Sequence, residues 1–244
     1  MRLAILSDIH GNLAALDAVL ADLAARGPVD ALEIAGDLCE WGPQPGAALA
    51  RVRDLGGPVV QGNTDRNVTI TDGARLRALG KSEKAIAALA WTRDQLGPEG
   101  TAYLAALPFA HTFAGPSDHD VLMVHANPRD LDTHLDPDAP PEEVADLLNG
   151  EPAAVVAFGH LHIPYVRRVA GRLLVDVASV GYPRDGDQRA AYATLAWDDI
   201  AGEWRADIHR VPYDLDATAA AFRASGMPNA EKRVKQLYRA SYDK

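Results

Sequence analysis

The stretch MRLAILSDIHGN, residues 1–12, decides how the rest of the chain is read. Leu3 to Ser7 is a short apolar run of the kind that forms a strand buried on both faces. It runs into Asp8-Ile9-His10, two metal-binding residue types two positions apart, and then into Gly11. In extended backbone, residues i and i+2 point to one side, so both side chains can reach one ion. Gly11 lets the chain turn sharply and approach a ligand closely.

The same arrangement recurs downstream. Ala31 to Ala35 leads to Gly36-Asp37, and Pro58 to Gln61 leads to Gly62-Asn63-Thr64-Asp65. Asp120 to Val124 leads to His125, and Ala153 to Phe158 leads to Gly159-His160-Leu161-His162. Any one of these segments alone reads more simply as helix capping, turn chemistry or satisfied core polarity. As an ordered set, Asp8, His10, Asp37, Asn63, His125, His160 and His162 point to metal ligands. They fall at carboxyl ends of strands, where open sheets with parallel strands build their sites.

Between the strands the apolar spacing turns helical. Asn12 to Arg26 carries Leu13, Leu16, Leu20 and Leu23, with Asn12 as N-cap and Gly27-Pro28 as the stop. Pro45 to Leu55 reads as a second helix, so the first sixty residues alternate βαβαβ, which implies a parallel sheet with right-handed crossovers. Residues 66–108 read as a helical insertion, with helices over Ser82 to Leu96 and Pro98 to Leu107. This segment is either a cap over the site or a cover for one sheet face. From Phe109 onward strands dominate: Phe109 to Phe113, Asp120 to Val124, Ala153 to Phe158, Tyr165 to Val169, Arg172 to Val177, Ala191 to Trp197 and Glu203 to Arg210. Val169 to Arg172 reads as a hairpin turn, and residues 127–141 as a long loop of functional character. Helices over 214–225 and 229–241 close the chain, the second rich in Lys and Arg and read as a solvated face. One domain over residues 1–244 accommodates all of this.

Composition narrows the function. The chain has 244 residues, 48% of them hydrophobic, enough for one domain with a sizeable core. The net charge is -10, so a broad grip on a nucleic-acid backbone is not expected. An anionic substrate would need local positive charge, which bound metals supply. Cys39 is the single cysteine, which rules out an intrachain disulfide and fits a reducing compartment. The apolar run at the N-terminus is too short for a signal peptide, and no stretch has the length of a membrane span. A cytoplasmic protein with a small substrate is expected, its oligomeric state open and a homo-oligomer compatible.

The ligand set mixes nitrogen and oxygen without thiolate. That suits Mn, Fe, Co, Ni or Zn better than Ca. Two divalent ions about 3.5–4 Å apart can share one carboxylate and hold a water in line with a leaving group. Asp37 lies between the two sets of ligands along the sheet and is the natural bridge.

The order Asp-x-His, Gly-Asp, Gly-Asn-x-Asp, His, Gly-His-x-His resembles the calcineurin-like metallophosphoesterase superfamily. The resemblance runs from Met1 to about residue 212. Ser-Asp-Ile-His-Gly-Asn at 7–12, Gly-Asp-Leu at 36–38 followed by Gly42-Pro43, and Gly-His-Leu-His-Ile-Pro at 159–164 are similar to its small bacterial and archaeal phosphodiesterases. The resemblance implies an α/β fold, a four-layer αββα sandwich of two mixed sheets with helices outside. It also implies two divalent transition-metal ions, manganese above the others. Asp8, His10 and His162 would hold the first, Asn63, His125 and His160 the second, and Asp37 both. Asp37, Asn63 and His125 thus become the residues on which hydrolysis of a phosphodiester turns. Phosphomonoester hydrolysis and a non-catalytic scaffold are the alternatives.

One position departs from the family pattern. Many members carry His after Gly-Asn, where it protonates the leaving group; this chain has Thr64. Loss of a general acid costs roughly 10²- to 10⁴-fold on poor leaving groups and favours a diester or a good leaving group. His134 and Asp132, on the loop after His125, are candidate replacements. Arg129 and Arg184 are candidate phosphate clamps, and Asn12 and Thr64 candidate substrate contacts. Asp65 is expected either to orient a ligand or to cap a helix, the first reading preferred. Trp41 and Tyr182 are read as core or rim packing, and Cys39 as a small packed side chain.

Overall fold

The computed structural model describes residues 1–148 and 150–241. The two halves of the strand pattern form separate sheets. The first contains β1 (Arg2–Leu6), β2 (Ala31–Ile34), β8 (Ala190–Asp198) and β9 (Glu203–Val211), in the order β2-β1-β8-β9. β1 pairs parallel with β2, whereas β8 runs antiparallel to both β1 and β9. The second contains β3 (Ala110–Phe113), β4 (Val121–Val124), β5 (Val155–Phe158), β6 (Tyr165–Val169) and β7 (Arg172–Asp176), in the order β3-β4-β5-β7-β6. Its centre, β4-β5-β7, is parallel, and its two edges are antiparallel.

The alternation of side chains along each strand explains the layering. Leu3 and Ile5 of β1 face Met123 of β4, Ala157 of β5 and Val175 of β7 in a core between the sheets. Ala4 and Leu6 point the other way, onto α1 (Leu13–Ala25) and α2 (Pro45–Leu55) through Leu16, Val19 and Val52. On the far side, Val124, Phe158 and Leu174 pack against Val144 and Leu148 of α6 (Pro141–Leu148). The layers are therefore helix, sheet, sheet, helix, as expected.

The helical insertion comprises α3 (Asn63–Thr69), α4 (Gly73–Ala78) and α5 (Glu83–Ala106). α5 bends at Gly97 (φ 65°, ψ -178°), followed by Pro98, where the sequence predicts a break between two helices. Leu76, Leu89 and Leu104 join the outer core beside α2, so this segment covers a sheet face. The terminal α7 (Leu215–Ala224) and α8 (Ala230–Arg239) share a small core of their own around Phe222, Met227 and Leu237.

Two expectations need correction. The strand at Pro58–Gln61 is reduced to a single parallel bridge, Val59 to Ile34. Gly56-Gly57 before it and Gly62 after it leave too short a run to form a ladder, and Pro58 has no N–H to give. The long loop after His125 ends at Pro140, because α6 begins at Pro141 with Glu142 and Glu143 in its first turn.

Candidate metal centre

Each of the proposed ligands leaves a strand or a turn at the same end of the two sheets. Asp8 and His10 follow β1, Asp37 follows β2, His125 follows β4, and His160 and His162 follow β5. Asn63 opens α3. The turns are unusually tight. Asp8, His10, Asp37, His160 and His162 all have positive φ, between 49° and 71°. Non-glycine residues are rare in this region, and each costs on the order of 1 kcal/mol or more. The neighbouring turns hold one another there: Asp8 N–H donates to Gly36 O, His10 N–H to Asp37 O, and Gly159 N–H to His125 O. Close approach demands glycine at two positions. A Cβ on Gly62 would lie 2.0 Å from Asp37 Oδ1, and one on Gly159 would lie 2.2 Å from Asp8 Oδ2.

The histidine tautomers follow from their carbonyl partners, since a carbonyl only accepts. His10 Nδ1 donates to Glu40 O (2.8 Å), His125 Nδ1 to Ala35 O (2.8 Å), and His162 Nδ1 to Tyr182 O. Each therefore turns an Nε2 lone pair inward. His160 is reversed: its Nε2 donates to Asp132 O at 2.9 Å, leaving Nδ1 with the lone pair. His10 Nε2 and His162 Nε2 lie 3.2 Å apart, and Asp8 Oδ1 is 3.4 Å from the first and 3.0 Å from the second. Asp8 Oδ2 accepts from Ser7 Oγ and His160 N, so Oδ1 is the oxygen left for an ion.

Asp37 presents one oxygen to each side. Its Oδ2 lies 3.7 Å from His10 Nε2, and its Oδ1 lies 3.5 Å from His125 Nε2. Asp8 Oδ1, Asn63 Oδ1 and His125 Nε2 are buried atoms without a hydrogen-bond partner among the described residues. Buried polar atoms are almost always satisfied. Three orphans of metal-binding type, two of them on Asp8 and His125, which converge with Asp37, fit a divalent cation. Asp8, His10 and His162 converge as one group, and Asp8, Asp37 and His125 as another.

The electrostatics agree at Asp8, His10 and His160, whereas His125, which burial would lower, is raised by Asp37 and Asp8. Burial alone would raise the Asp8 carboxyl, but His162, His10 and His125 outweigh it and hold Asp8 well below the usual range. Burial lowers His10 against the pull of Asp8 and Asp37. His160 is lowered to about 4 by burial and by His125. Deprotonated carboxylates and neutral imidazoles are the forms that bind metal.

Asp65 holds the loop that carries Asp37. Its carboxylate accepts from Asp37 N (2.8 Å), Leu38 N (2.9 Å) and Gly62 N (3.0 Å). It both caps α3 and orients Asp37, uniting the expected roles. Burial and the nearby Asp37 raise it to about 7.

The remaining candidates separate. His134 and Arg184 line the ligand cleft with Asp37, Asn63 and His160. Arg129 does not; it pairs with the exposed Asp146 at 3.3 Å. Asp132 is held in a two-point ion pair with Arg66, at 2.9 and 3.0 Å. The Thr64 side chain is buried, and its contribution is a backbone N–H to Asp37 Oδ1 at 2.9 Å. Asn12 caps α1 through Ala15 N and also donates to Gly181 O and Tyr213 Oη, so it serves structure rather than substrate. Cys39 is buried, as expected.

Two residues exceed their sequence reading. The Trp41 ring stacks on His10, with centroids 4.5 Å apart and planes 12° apart, and lines the cleft. Arg233 of α8 lies over Trp41 at 4.9 Å rather than on a purely solvated face. Only its i−4 position before Leu237 on an amphipathic helix marks it in sequence, and that does not distinguish it from its basic neighbours.

Among the described residues, no helix is long and apolar enough to cross a membrane. Residues 1–199 match the calcineurin-like phosphoesterase superfamily domain. An uncharacterised protein of Methanocaldococcus jannaschii is 32% identical over 233 residues, covering 87% of this chain and 88% of that protein. The crystal structure of a metallophosphoesterase from Sphaerobacter thermophilus is similar with a TM-score of 0.77 and 30% identity, covering 98% of this chain and 100% of that one. A hypothetical protein from Pyrococcus horikoshii OT3 has the same fold, with a TM-score of 0.85, 21% identity and 99% coverage of both chains. With the ligand geometry and the matched domain in agreement, this chain belongs to the calcineurin-like phosphoesterase superfamily.

Proposed function

We propose that the protein is a dinuclear-metal-dependent phosphodiesterase. The observation that carries the reading is Asp37, whose two oxygens face two separate ligand groups. Asp8, His10 and His162 would complete the first position, and Asn63, His125 and His160 the second. Two divalent transition-metal ions held there, manganese being the one the family resemblance favours, would supply Lewis-acid charge to phosphoryl oxygens and lower the pKa of a water. The protein's part is to fix the geometry. Carbonyls of Glu40, Ala35 and Tyr182 lock three imidazoles, and Asp65 locks the bridging loop. Thr64, a buried side chain, stands where a histidine general acid is expected, which favours a diester or a good leaving group. The buried, unpaired Cys39 fits a reducing, cytoplasmic setting.

Turnover of bis(p-nitrophenyl) phosphate against p-nitrophenyl phosphate, after loading with Mn²⁺, tests this reading. The diester should be the faster substrate, and Asp37→Asn should abolish turnover while circular dichroism stays native. A fully active Asp37→Asn protein would end the dinuclear proposal. A preference for the monoester would favour a second reading, phosphomonoester hydrolysis, for which His134, which lines the cleft, is the candidate proton donor.

A further inference from the structure

We propose that Gln236 of α8 is a positioning residue for His162, and that α8 thereby sets the metal affinity of the first position without setting that of the second. This rests on the dinuclear reading above and gives a role at the site to a helix outside the matched residues 1–199.

A chain of contacts leads from α8 to the ligand. Gln236 is buried, at 8% exposure, whereas Glu231, Lys232 and Lys235 of the same helix are exposed. Its Oε1 accepts from the Tyr182 hydroxyl at 2.5 Å. Tyr182 is also buried, and its carbonyl oxygen accepts from His162 Nδ1. That last bond decides which imidazole nitrogen carries the proton, so Nε2 keeps its lone pair for an ion. The Tyr182 N–H is fixed as well, donating to Ser179 Oγ at 2.7 Å. Ring and backbone of Tyr182 are therefore both held, the ring from α8. A leucine would fill the place of Gln236 without the cost of burying an amide. What the amide adds is an acceptor for the Tyr182 hydroxyl.

The same helix reaches the other histidine of that position. Arg233 donates to Gln236 Oε1 at 3.3 Å and lies 4.9 Å from the Trp41 ring centroid and 5.8 Å from that of Tyr182. Trp41 in turn stacks on His10. Trp41 has φ 83°, a left-handed conformation that a bulky residue keeps only where its surroundings hold it. Its neighbour Glu40 supplies the carbonyl that fixes His10, and the buried Glu40 carboxyl answers the charge of Arg233. The second position leans on other parts of the fold. His125 is held by Ala35 O, directly after β2, and His160 by Asp132 O, on the loop after β4. Loosening Tyr182 therefore frees His162 to turn and leaves His125 and His160 in place.

The test is a calorimetric titration of chelator-stripped protein with Mn²⁺. His162→Ala and His125→Ala identify which binding event belongs to which position. Gln236→Leu and Tyr182→Phe should each weaken the His162-dependent event by about tenfold, the low end for a group that orients a metal ligand, and leave the other event as in wild type. Tyr182→Phe keeps the ring and the carbonyl, so it tests the relay even where Gln236→Leu fails to fold. Combined, the two changes should weaken binding no further than either alone, because they break one bond. Gln236→Glu keeps an acceptor for the hydroxyl and should restore the event. Urea unfolding in chelator separates positioning from packing. The double variant replaces both partners by apolar groups, so its midpoint should lie close to wild type while the binding event stays weak. Unchanged binding in Tyr182→Phe, or an equal loss at both events, would overturn the proposal. So would a double variant that regains wild-type affinity together with its stability. A wild-type protein that binds one ion, through His162 and still weakened by Tyr182→Phe, would keep the positioning role and end the dinuclear reading. One ion that does not need His162 would end both.

Discussion

Asp65 illustrates how much of this site depends on a residue that touches no ion. Three buried N–H groups end on its carboxylate, and one of them belongs to Asp37. Asp65→Ala would leave all three without an acceptor. Allowing for relaxation, stability should fall by about 2–4 kcal/mol, read as a lower midpoint in urea. Loss of a residue that orients a ligand typically costs about 10- to 100-fold in metal affinity, which a metal titration of the folded variant would measure. The sequence exposes the candidate ligands because metal-binding chemistry restricts the amino-acid choice at each position. It does not expose Arg233. Its role depends on where α8 docks, and nothing local separates it from Lys232 or Lys235.

At the scale of elements, the strand-end turns are the unit of function. A methyl on Gly159 would fall 2.2 Å from both Asp8 Oδ2 and Ser7 Oγ, inside contact distance. Gly159→Ala should therefore displace Asp8 and lower metal-dependent turnover by roughly 10²-fold, as expected for misplacing a reacting group by about 1 Å. Far-ultraviolet circular dichroism should remain close to native, and a full-activity Gly159→Ala protein would contradict the packing described. Most elements were legible because their periods are clean. Tyr165–Val169 is a strand over the predicted residues, and the turn after it carries Ala170 and Gly171 at φ 51° and 78°, as a tight hairpin requires. α6 was missed because Pro140-Pro141 reads as a breaker, whereas Pro at the first helical position followed by two glutamates is a helix start. The bridge at Val59 was overread because apolar character alone does not guarantee a partner along the whole run.

Across the whole molecule, the two sheets meet at matching edges. At one edge Glu33 of β2 lies buried 3.4 Å from His111 of β3, and both its carboxylate oxygens lack a hydrogen-bond partner among the described residues. At the other, Arg168 of β6 pairs with Glu203 of β9. Burial, offset in part by His111, raises the Glu33 carboxyl. A raised acid favours folding while it is protonated, below the ordinary glutamate range. That contribution is lost as pH climbs through the raised value. Glu33→Gln is neutral throughout, so its melting temperature relative to wild type should rise as pH climbs above the ordinary glutamate range. Thermal unfolding in chelator would measure it, and a constant difference would mean that Glu33 keeps an ordinary titration.

The ligands are also divided between the sheets: Asp8, His10 and Asp37 leave the first, and His125, His160 and His162 leave the second. An ion held by Asp8 and His162 joins points that lie most of the chain apart. The cofactor is then a cross-link as well as a reagent, closing one of the longest loops the fold contains. Its binding is drawn from the same free energy that keeps the sheets together, so melting temperature should climb with the logarithm of free metal concentration. A cell short of such a metal would then hold a protein more readily unfolded and cleared.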